Sequence, residues 1–340
     1  MGGYDYKLYK DMIDYQNKKI LITGGLGFIG SNLARKLLKL GAKVTLVDNL
    51  DPLTGGNQFN IEDIKDQLTI NIFDIRENNE LKNVIESQDL LFNLAAQTSH
   101  IGSMLDPKKD LEVNLIAQLS LLEICKKINP DIKIVYASTR QLYGSPNYLP
   151  VDENHHVQPL DINGINKFAG ECYHLLYNNV YGINSCCLRL TNTYGPGMRV
   201  IDARQTFLGI WVRNLLEKKP IEVYGTGQQL RDFNYIDDCV NAFLIVGINE
   251  KANGKVYNLG SKEVLSLENV AKKMSNLVPN SSYNIVPFPN DRKAIDIGDY
   301  YSNFSLISSE LQWEPKISLN EGLKKTIEYY KMHFSNYCNV

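Results

Sequence analysis

The chain has 340 residues, 44% of them hydrophobic, and its 36 basic and 38 acidic residues leave a net charge of −2. This composition supports a sizeable core and excludes a disordered chain. The near-neutral charge gives no general attraction for nucleic acid or for an anionic membrane, so any anion site has to be built locally.

Residues 1–17 are rich in Tyr, Asp and Lys and lack the apolar stretch of a signal peptide. We interpret them as an added helix or arm. No apolar run reaches the length of a membrane span, and we expect a cytoplasmic protein. The cysteines show no paired C-x-x-C spacing, which favours buried reduced thiols over disulfides or metal ligands, and no metal site is expected. They are Cys125, Cys172, Cys186, Cys187, Cys239 and Cys338.

The first predicted strand contains Ile20-Leu21-Ile22 and is followed by the run Gly24-Gly25-Leu26-Gly27-Phe28-Ile29-Gly30, which opens a predicted helix. Gly24 and Gly27 permit a tight turn and let the backbone approach a pyrophosphate, while Gly30 allows close packing of helix and strand. The helix N-terminus supplies unpaired N–H groups and a positive dipole. The layout predicts a dinucleotide-binding site.

The second predicted strand ends at Asp48, whose carboxylate can accept hydrogen bonds from an adenosine ribose and would repel a 2′-phosphate. The following Asn49-Leu50-Asp51 contains no basic residue that could reverse this preference. The sequence therefore predicts NAD as the cofactor, in preference to NADP.

Further apolar runs recur at 68–73, 90–95, 132–137 and 186–190, separated mostly by helix-length segments. This alternation predicts an α/β fold with a doubly wound parallel sheet of Rossmann type, in which ligands bind at the carboxyl ends of the strands. We assign 18–190 to the NAD-binding domain, with 234–262 returning to it. A smaller discontinuous α/β substrate domain would comprise 191–233 and 263–330, and a tail 331–340.

The chain resembles the extended short-chain dehydrogenase/reductase family, and within it the nucleotide-sugar epimerases and dehydratases. Besides the glycine run, the matching segments are Asp74-Ile75, Asn93-Leu94-Ala95-Ala96-Gln97, Asn114, Ala137-Ser138-Thr139-Arg140-Gln141-Leu142-Tyr143-Gly144, Leu188-Arg189-Leu190-Thr191-Asn192-Thr193-Tyr194-Gly195-Pro196, Tyr224-Gly225-Thr226-Gly227-Gln228-Gln229-Leu230-Arg231-Asp232-Phe233 and Tyr235-Ile236-Asp237-Asp238. The resemblance implies that Asp74 and Ile75 contact adenine, that Leu94, Ala95 and Ala96 line the cofactor cleft, and that Thr139 binds the reacting sugar hydroxyl.

A nucleotide-diphosphate sugar carries concentrated negative charge, which a near-neutral protein binds with a few placed guanidinium groups. The resemblance and this charge argument together suggest Arg231 and Arg292 for the diphosphate, Asn192 for the diphosphate or sugar, and Thr206 beside the base. His100 and Arg140 are further candidates for contact with the substrate. The identity of the base cannot be read from these residues.

One position departs from the family pattern. The family uses a Tyr-x-x-x-Lys helix, in which a phenolate takes the sugar hydroxyl proton and the lysine also holds the nicotinamide ribose. Here Lys167 is present, but Asn163 stands where the tyrosine is expected, and an amide cannot act as a general base. Tyr6 and Lys10 repeat the spacing outside any suitable context, and we interpret that match as fortuitous.

Three accounts of Asn163 stay open: an engineered substitution, a natural enzyme with another base or a water, or a site that only binds. The other motifs are complete, which favours retained chemistry. Candidate substitute bases are His100, Tyr143, and His155 or His156, and each has a structural alternative.

The residues after Thr139 narrow the range of reactions that this chain could catalyse. Family 4,6-dehydratases carry an Asp-Glu pair there, whereas this chain has Arg140-Gln141, neither of which titrates usefully at neutral pH. Dehydration is therefore disfavoured. The resemblance then implies NAD-dependent oxidation of a ring hydroxyl, at the 4-position, and epimerisation through a keto sugar, in surface polysaccharide biosynthesis. Release of the keto sugar by a dehydrogenase, and a binding protein without turnover, are the alternatives.

A homodimer is also expected. In the family, helices corresponding to 106–127 and 162–180 pair with their symmetry mates, and the leucines at 111, 115, 119 and 122 form an apolar stripe on the first of them.

Overall fold

The computed structural model describes residues 14–204 and 206–338. Most of the expected N-terminal extension, including the Tyr6 and Lys10 pair, lies outside these residues. The described part of the extension is attached to the body of the protein, because Tyr15 is buried and its hydroxyl donates to Leu244 O at 2.8 Å.

A seven-stranded, all-parallel sheet forms the centre of the molecule, with the strand order β10-β6-β5-β4-β1-β2-β3. Its strands are β1 Lys19–Thr23, β2 Lys43–Asp48, β3 Thr69–Ile72, β4 Leu90–Asn93, β5 Lys133–Thr139, β6 Ser185–Leu190 and β10 Val256–Asn258. The order reverses direction between β1 and β4, whose paired ends are Thr23 and Asn93. This is the topological switch point at which ligands bind in open α/β sheets, and the predicted doubly wound fold is confirmed.

The helices cover both faces of this sheet and continue into the second half of the chain. In chain order they are α1 Phe28–Lys39, α2 Asn78–Ile85, α3 His100–Leu105, α4 Pro107–Leu111, α5 Ala117–Ile128, α6 Ile162–Tyr181, α7 Phe207–Leu216, α8 Ile236–Ile248, α9 Leu267–Asn276, α10 Asn290–Lys293, α11 Ser305–Leu311, α12 Leu319–His333 and α13 Ser335–Cys338. A π-helical segment, Glu112–Ile116, joins α4 to α5.

The segments after residue 190 add two small sheets beside the carboxyl ends of the central strands. One has the order β11-β9-β7, with β7 Asn192–Tyr194, β9 Leu230–Tyr235 and β11 Val264–Ser266. The other pairs β8 Ile221–Tyr224 with β12 Tyr283–Val286. These elements are the smaller second unit expected from the sequence, while β10 returns to the central sheet by pairing with β6.

Helix α6 carries Asn163 and Lys167, the segment in which this chain departs from the family pattern. Both ends of the helix are well defined. The Asp161 side chain caps its N-terminus by accepting from Gly164 N, and Gly182 ends it in a left-handed conformation with φ 74°. Its buried positions recur every three or four residues, as a helix packed on a sheet requires. Two of them, Lys167 and Glu171, are ionisable, which is a costly choice for a purely structural face.

Four of the cysteines, at 125, 186, 187 and 239, are buried as free thiols as expected, but Cys172 is exposed on α6 and Cys338 is half-buried. The expectation of buried thiols is therefore wrong for Cys172, which faces away from the sheet. Within 14–204 and 206–338, none of the helices is sufficiently long and apolar to cross a membrane.

Candidate active site

A single cleft at the carboxyl ends of the central strands collects most of the predicted site residues. On the predicted cofactor side, Gly24, Gly27, Phe28, Ile29, Gly30, Asp48, Asn49, Asp74, Ile75, Leu94, Ala95 and Ala96 line it. On the predicted substrate side, Thr139, Asn163, Lys167, His100, Arg140, Asn192 and Thr206 line it. Arg231 and Arg292 do not line it.

The glycine-rich turn between β1 and α1 leaves space that side chains would fill. Gly24 has φ +69°, and a Cβ on it would lie 3.0 Å from Ala95 N. A Cβ on Gly30 would lie 2.3 Å from Gly24 O, so the close packing of α1 on the turn requires glycine. Helix α1 starts after Gly27 with no side-chain cap, which leaves its first N–H groups available to an anion. This cradle fits the pyrophosphate of NAD.

Asp48 ends β2 and is held in place by the backbone. Its carboxylate accepts from Leu26 N at 3.0 Å and from Leu50 N at 2.9 Å, and only 8% of the residue is exposed. Burial raises the pKa of Asp48, while the backbone N–H groups act in the opposite direction. The carboxylate is thus rigidly placed on the wall of the cleft, where a ribose diol would meet it.

Replacing Asp48 with Ala and Asn49 with Arg should relax the discrimination between NAD and NADP. The unmodified protein should bind NAD more tightly, because charge-assisted hydrogen bonds of about 1.5–3 kcal/mol go to the ribose and a 2′-phosphate is repelled. Loss of these hydrogen bonds should lower the ratio of NAD affinity to NADP affinity by roughly 10- to 100-fold. Calorimetric titration at low salt measures both affinities. Equal affinities of the unmodified protein for the two cofactors would contradict this expectation.

Asp74 follows β3 and is fixed by its neighbours on the rim of the cleft. Burial opposes ionisation, but the Arg76 guanidinium, at 2.9 Å, and the Asn49 amide, at 2.8 Å, together lower the pKa of Asp74 to about 2. Its oxygens are thereby occupied by protein groups. The neighbouring Ile75, which is 5% exposed, supplies an apolar surface of the kind that an adenine ring packs against.

Thr139 and Lys167 occupy the centre of the cleft. Thr139 ends β5, and its hydroxyl accepts from Gln141 N at 3.2 Å. Lys167 lies one turn of α6 below Asn163, with Nζ 4.2 Å from the centre of the Tyr136 ring. Burial lowers the pKa of Lys167 to about 8, against the opposing charges of Asp110 and Glu171. Its charge is therefore held in the interior with no carboxylate at ion-pair distance among the described residues.

Asn163 is tied to the wall of the cleft through its amide nitrogen. Nδ2 donates to Gln97 O at 2.8 Å and to the Asp110 carboxylate at 3.1 Å, which uses both of its hydrogens. The same carboxylate accepts from Asn166 Nδ2 at 2.9 Å. Oδ1 of Asn163 receives no hydrogen bond within the described residues, and it is the atom left for a ligand. The side chain can accept a hydrogen bond there but cannot take up a proton.

His100 lies at the start of α3 and lines the same cleft. Its Nδ1 is buried and lies 2.9 Å from Asp161 Oδ2, at hydrogen-bonding distance with a bent geometry. Asp161 is fully buried and also accepts from Gln141 Nε2 at 3.0 Å. Burial opposes ionisation of Asp161, but His100 and the Gly164 N–H together lower its pKa. The carboxylate is therefore kept charged next to the imidazole.

The other substitute bases suggested by the sequence do not line the cleft. Tyr143 is buried, donates to Asn258 Oδ1 at 2.8 Å and accepts from Arg189, and burial raises its pKa to about 12. His155 is also buried, with Nε2 accepting from Asn147 N. His156 is exposed at the surface. Of the four suggestions, His100 alone lies where a substrate could reach it.

A buried ion pair joins the elements that carry these side chains. Arg189 on β6 donates from Nε to Glu171 on α6 at 3.1 Å, and Ser138 on β5 donates to the same carboxylate at 2.6 Å. Both charged side chains are almost completely inaccessible, at 6% and 1% exposure. The network fixes the spacing between Thr139 at the end of β5 and Lys167 one turn before Glu171.

The predicted guanidinium groups divide into two sets. Arg140 reaches the cleft, donates from Nη2 to Asn192 Oδ1 at 3.0 Å, and has a buried Nη1 without a partner among the described residues. Arg231 instead donates to Gly298 O and lies 3.4 Å from the Asp296 carboxylate. Arg292 sits over the Tyr224 ring at 5.3 Å. Of the three arginines suggested from the sequence, Arg140 therefore lines the cleft, while Arg231 and Arg292 do not.

A family model described as the NAD dependent epimerase/dehydratase family matches residues 20–260. The chain belongs to this family. The resemblance inferred from the glycine run and the Thr139 segment is thereby confirmed, and the family uses NAD, as Asp48 predicted.

Two relatives and one solved structure show the range of activities in this neighbourhood of the family. A protein of Methanocaldococcus jannaschii, provisionally named a UDP-glucose 4-epimerase, is 32% identical over 92% of this chain and 98% of its own. The UDP-N-acetyl-alpha-D-glucosaminuronate decarboxylase of Bacillus cytotoxicus is 30% identical over 92% of this chain and 98% of its own. The UDP-glucuronic acid 4-epimerase of Bacillus cereus, solved with UDP-glucuronic acid and NAD, is 29% identical, with a TM-score of 0.81 over 92% of this chain and 99% of its own.

Proposed function

We propose that this protein oxidises a ring hydroxyl of a nucleotide-diphosphate sugar with bound NAD and returns the hydride to the opposite face, as a 4-epimerase. The observation that carries the proposal is the single cleft shared by the glycine turn, by Thr139 and Lys167, and by Asn192 and Thr206. Cofactor and sugar would meet at the ends of β1 and β5, the strands that flank β4 at the switch point. The activities of the relatives support the same chemistry.

The positions of the residues in the cleft suggest a separate role for each of them. NAD, when bound on the glycine turn, supplies the hydride acceptor, which no side chain provides. Thr139 would orient the sugar hydroxyl, and Asn163 Oδ1 would accept a hydrogen bond from the sugar. Lys167 would hold the nicotinamide ribose and place a positive charge beside the oxygen that loses its proton.

The side chains after Thr139 argue against elimination of water. Gln141 uses its amide to hold Asp161, and Arg140 binds Asn192. Neither group exchanges protons at neutral pH. The chain thus supports oxidation and reduction at one carbon and offers no acid and base at this position for dehydration.

Incubation with UDP-glucose, UDP-glucuronic acid and UDP-N-acetylglucosamine, followed by proton NMR of the sugar and by absorbance of reduced NAD, tests the proposal. A 4-epimer formed without net NAD reduction is the expected result. Accumulation of a keto sugar with stoichiometric reduced NAD would indicate a dehydrogenase, and binding of both ligands without reaction would indicate a binding protein.

Arg140 lines the cleft in which the substrate is expected, and its buried Nη1 has no partner among the described residues. Replacing Arg140 with Met should raise KM for the nucleotide sugar by roughly 10- to 100-fold, since a charge-assisted hydrogen bond is worth about 1.5–3 kcal/mol. Arg292→Met is the matched control, because that guanidinium lies outside the cleft wall and its removal should leave KM within about twofold. A KM unchanged in Arg140→Met would contradict the assignment of Arg140 to substrate binding.

We also propose a homodimer formed through the 106–127 region and α6. Leu122 of the predicted stripe packs in the core of its own subunit. Exposed apolar side chains lie on α4, on the π-helical segment and on α6: Leu111, Ile116, Ile165 and Leu176 are 39%, 50%, 51% and 47% exposed. Sedimentation of the protein as a monomer at micromolar concentration would rule against the dimer.

A further inference from the structure

His100 and Asp161 form a dyad that none of the family assignments above uses. The ring lines the same cleft as Thr139 and Asn163, and 35% of its side chain is exposed. Because Nδ1 is buried against Asp161, the exposed edge of the ring is the one that carries Nε2. A nitrogen with a lone pair therefore faces the region where the sugar is expected.

The carboxylate of Asp161 is arranged to select the tautomer of His100. Oδ1 accepts from Gly164 N at 2.6 Å, and Oδ2 accepts from Gln141 Nε2 at 3.0 Å. With these donors in place Asp161 stays ionised and acts only as an acceptor, so the imidazole is favoured with its hydrogen on Nδ1. Nε2 is then left free to accept a proton.

The backbone of His100 is also tied to α6, which carries the rest of the site. Ser103 donates from its hydroxyl to His100 O at 2.7 Å and accepts from Asn163 N at 3.2 Å. A single side chain thus fixes the start of α3 against the position that lacks the tyrosine. The backbone at His100 is therefore linked through one side chain to the backbone at Asn163.

We propose that His100, oriented by Asp161, is the general base and acid that exchanges the proton of the sugar hydroxyl in place of the missing tyrosine. This assignment rests on the proposed function. In the oxidation, the C–H bond of the carbinol carbon breaks and its electron pair leaves as hydride to NAD. The O–H proton passes to Nε2 of His100, and the carbon–oxygen double bond forms. The reverse transfers complete the epimerisation.

Other ionisable groups near the cleft are less suited to this task. The Asp110 carboxylate is occupied by Asn163 and Asn166. Tyr136 lies beneath Lys167 and is fully buried outside the cleft lining. Lys167 and Arg140 face the cleft as cations and stabilise charge there, while Asp161 is the carboxylate at ion-pair distance from His100. Asp161 thus orients the ring, while Lys167 and Arg140 place positive charge in the same cleft, which favours a developing alkoxide.

Nitrogen-15 NMR of the histidine side chains tests the tautomer without any ligand. The five histidines make the spectrum tractable. In its neutral form the His100 ring should carry its hydrogen on Nδ1, and Asp161→Asn should shift the ring toward the Nε2–H form. Asn caps a helix about as well as Asp, so this variant should still fold. An Nε2–H tautomer in the unmodified protein would overturn the proposal.

Single-turnover reduction of bound NAD, with whichever of the three UDP-sugars reacts, tests the base itself. His100→Gln should slow reduction by roughly 10²–10⁴-fold, with little change in sugar affinity. Asp161→Asn, which removes the positioning charge, should slow it by roughly 10- to 100-fold. His156→Gln, at an exposed histidine outside the cleft, is the matched control and should leave the rate unchanged.

Asn163→Tyr gives an independent check. Because His100 already serves as the base, a tyrosine restored at this position should add little to the rate of NAD reduction. The rate of this variant should not exceed that of the unmodified protein. A normal rate in His100→Gln, or a gain of about 10²-fold or more in Asn163→Tyr, would overturn the base while leaving the proposed function standing. No reduction by any sugar in the unmodified protein would overturn both.

Discussion

Replacing Lys167 with Met should reduce the rate of NAD reduction by roughly 10²–10³-fold, the effect of removing one preorganised charge from a developing oxyanion. Lys167 is 6% exposed and keeps its charge without an ion-pair partner among the described residues, a cost that structural packing does not explain. The affinity for NAD should fall as well if the amine holds the nicotinamide ribose. Both are measured by stopped-flow absorbance and by titration with NAD.

Lys133 provides a matched control at the opposite end of β5. It is half-buried, and burial lowers its pKa also, but its Nζ donates to Asn249 O at 2.6 Å, away from the cleft. Lys133→Met should leave the reduction rate unchanged. Equal rates in Lys167→Met and the unmodified protein would contradict a role for Lys167.

The low pKa of Lys167 adds a signature on the alkaline side. The pKa of about 8 means that the amine loses its charge as pH rises through that value, well below the pH at which an exposed lysine does so. Reduction in the unmodified protein should therefore decline above about pH 8, and this decline should be missing in Lys167→Met.

Replacing Arg189 with Met should lower the free energy of unfolding by about 3–5 kcal/mol, because the buried Glu171 carboxylate would lose its cation. Glu171 would keep only the Ser138 hydroxyl, at 2.6 Å, as a neutral donor in the same network. Urea unfolding at neutral pH measures the change. Activity should fall too, since the network sets the spacing of β5, β6 and α6.

Two companion variants separate the ion pair from general disruption. Arg189→Met combined with Glu171→Leu should recover much of the lost stability, since an apolar replacement of a buried pair is often tolerated. Lys262→Met breaks an exposed pair with Glu314, whose side chains are 59% and 51% exposed, and should cost under about 1 kcal/mol. Losses of similar size in the free energy of unfolding of Lys262→Met and Arg189→Met would contradict the stabilising role of the buried Arg189–Glu171 pair.

The cofactor half of the cleft could be predicted from the sequence because it depends on local chain geometry. The strand, the glycine turn and Asp48 lie within 30 residues, and each residue type is required by a short-range constraint such as the positive φ of Gly24. The fold class followed from the alternation of apolar segments. Neither inference needed knowledge of long-range contacts.

The substrate half was harder because its contacts join distant segments. Arg231 was expected in the site, but its partners Gly298 and Asp296 come from a loop more than 60 residues away and draw it out of the cleft wall. Tyr143 was offered as a base, and Asn258, 115 residues later, fixes it in the interior. His100 and Asp161 lie 61 positions apart, so their pairing is visible only after folding.

One member of the His100–Asp161 pair, Asp161, stands at a position with a recognisable sequence signal. An acidic residue directly before a helix-patterned segment indicates an N-cap, and Asp161 occupies this position before α6. Asp161 caps the N-terminus of α6, the helix that carries Lys167. The position of this helix therefore brings both residues to the cleft. Such a signal can place the start of the helix, but it does not reveal the second contact of Asp161 with the imidazole.

The central claim is that the cleft brings NAD and a nucleotide sugar together and oxidises the sugar although Asn163 replaces the tyrosine. Rapid mixing of the unmodified, NAD-loaded protein with UDP-glucose, UDP-glucuronic acid or UDP-N-acetylglucosamine, with absorbance of reduced NAD followed through one turnover, tests it most directly. The account predicts transient reduction with one of these sugars, followed by reoxidation as the 4-epimer forms. Tight binding of NAD and of the sugars with no reduction by any of them would contradict it.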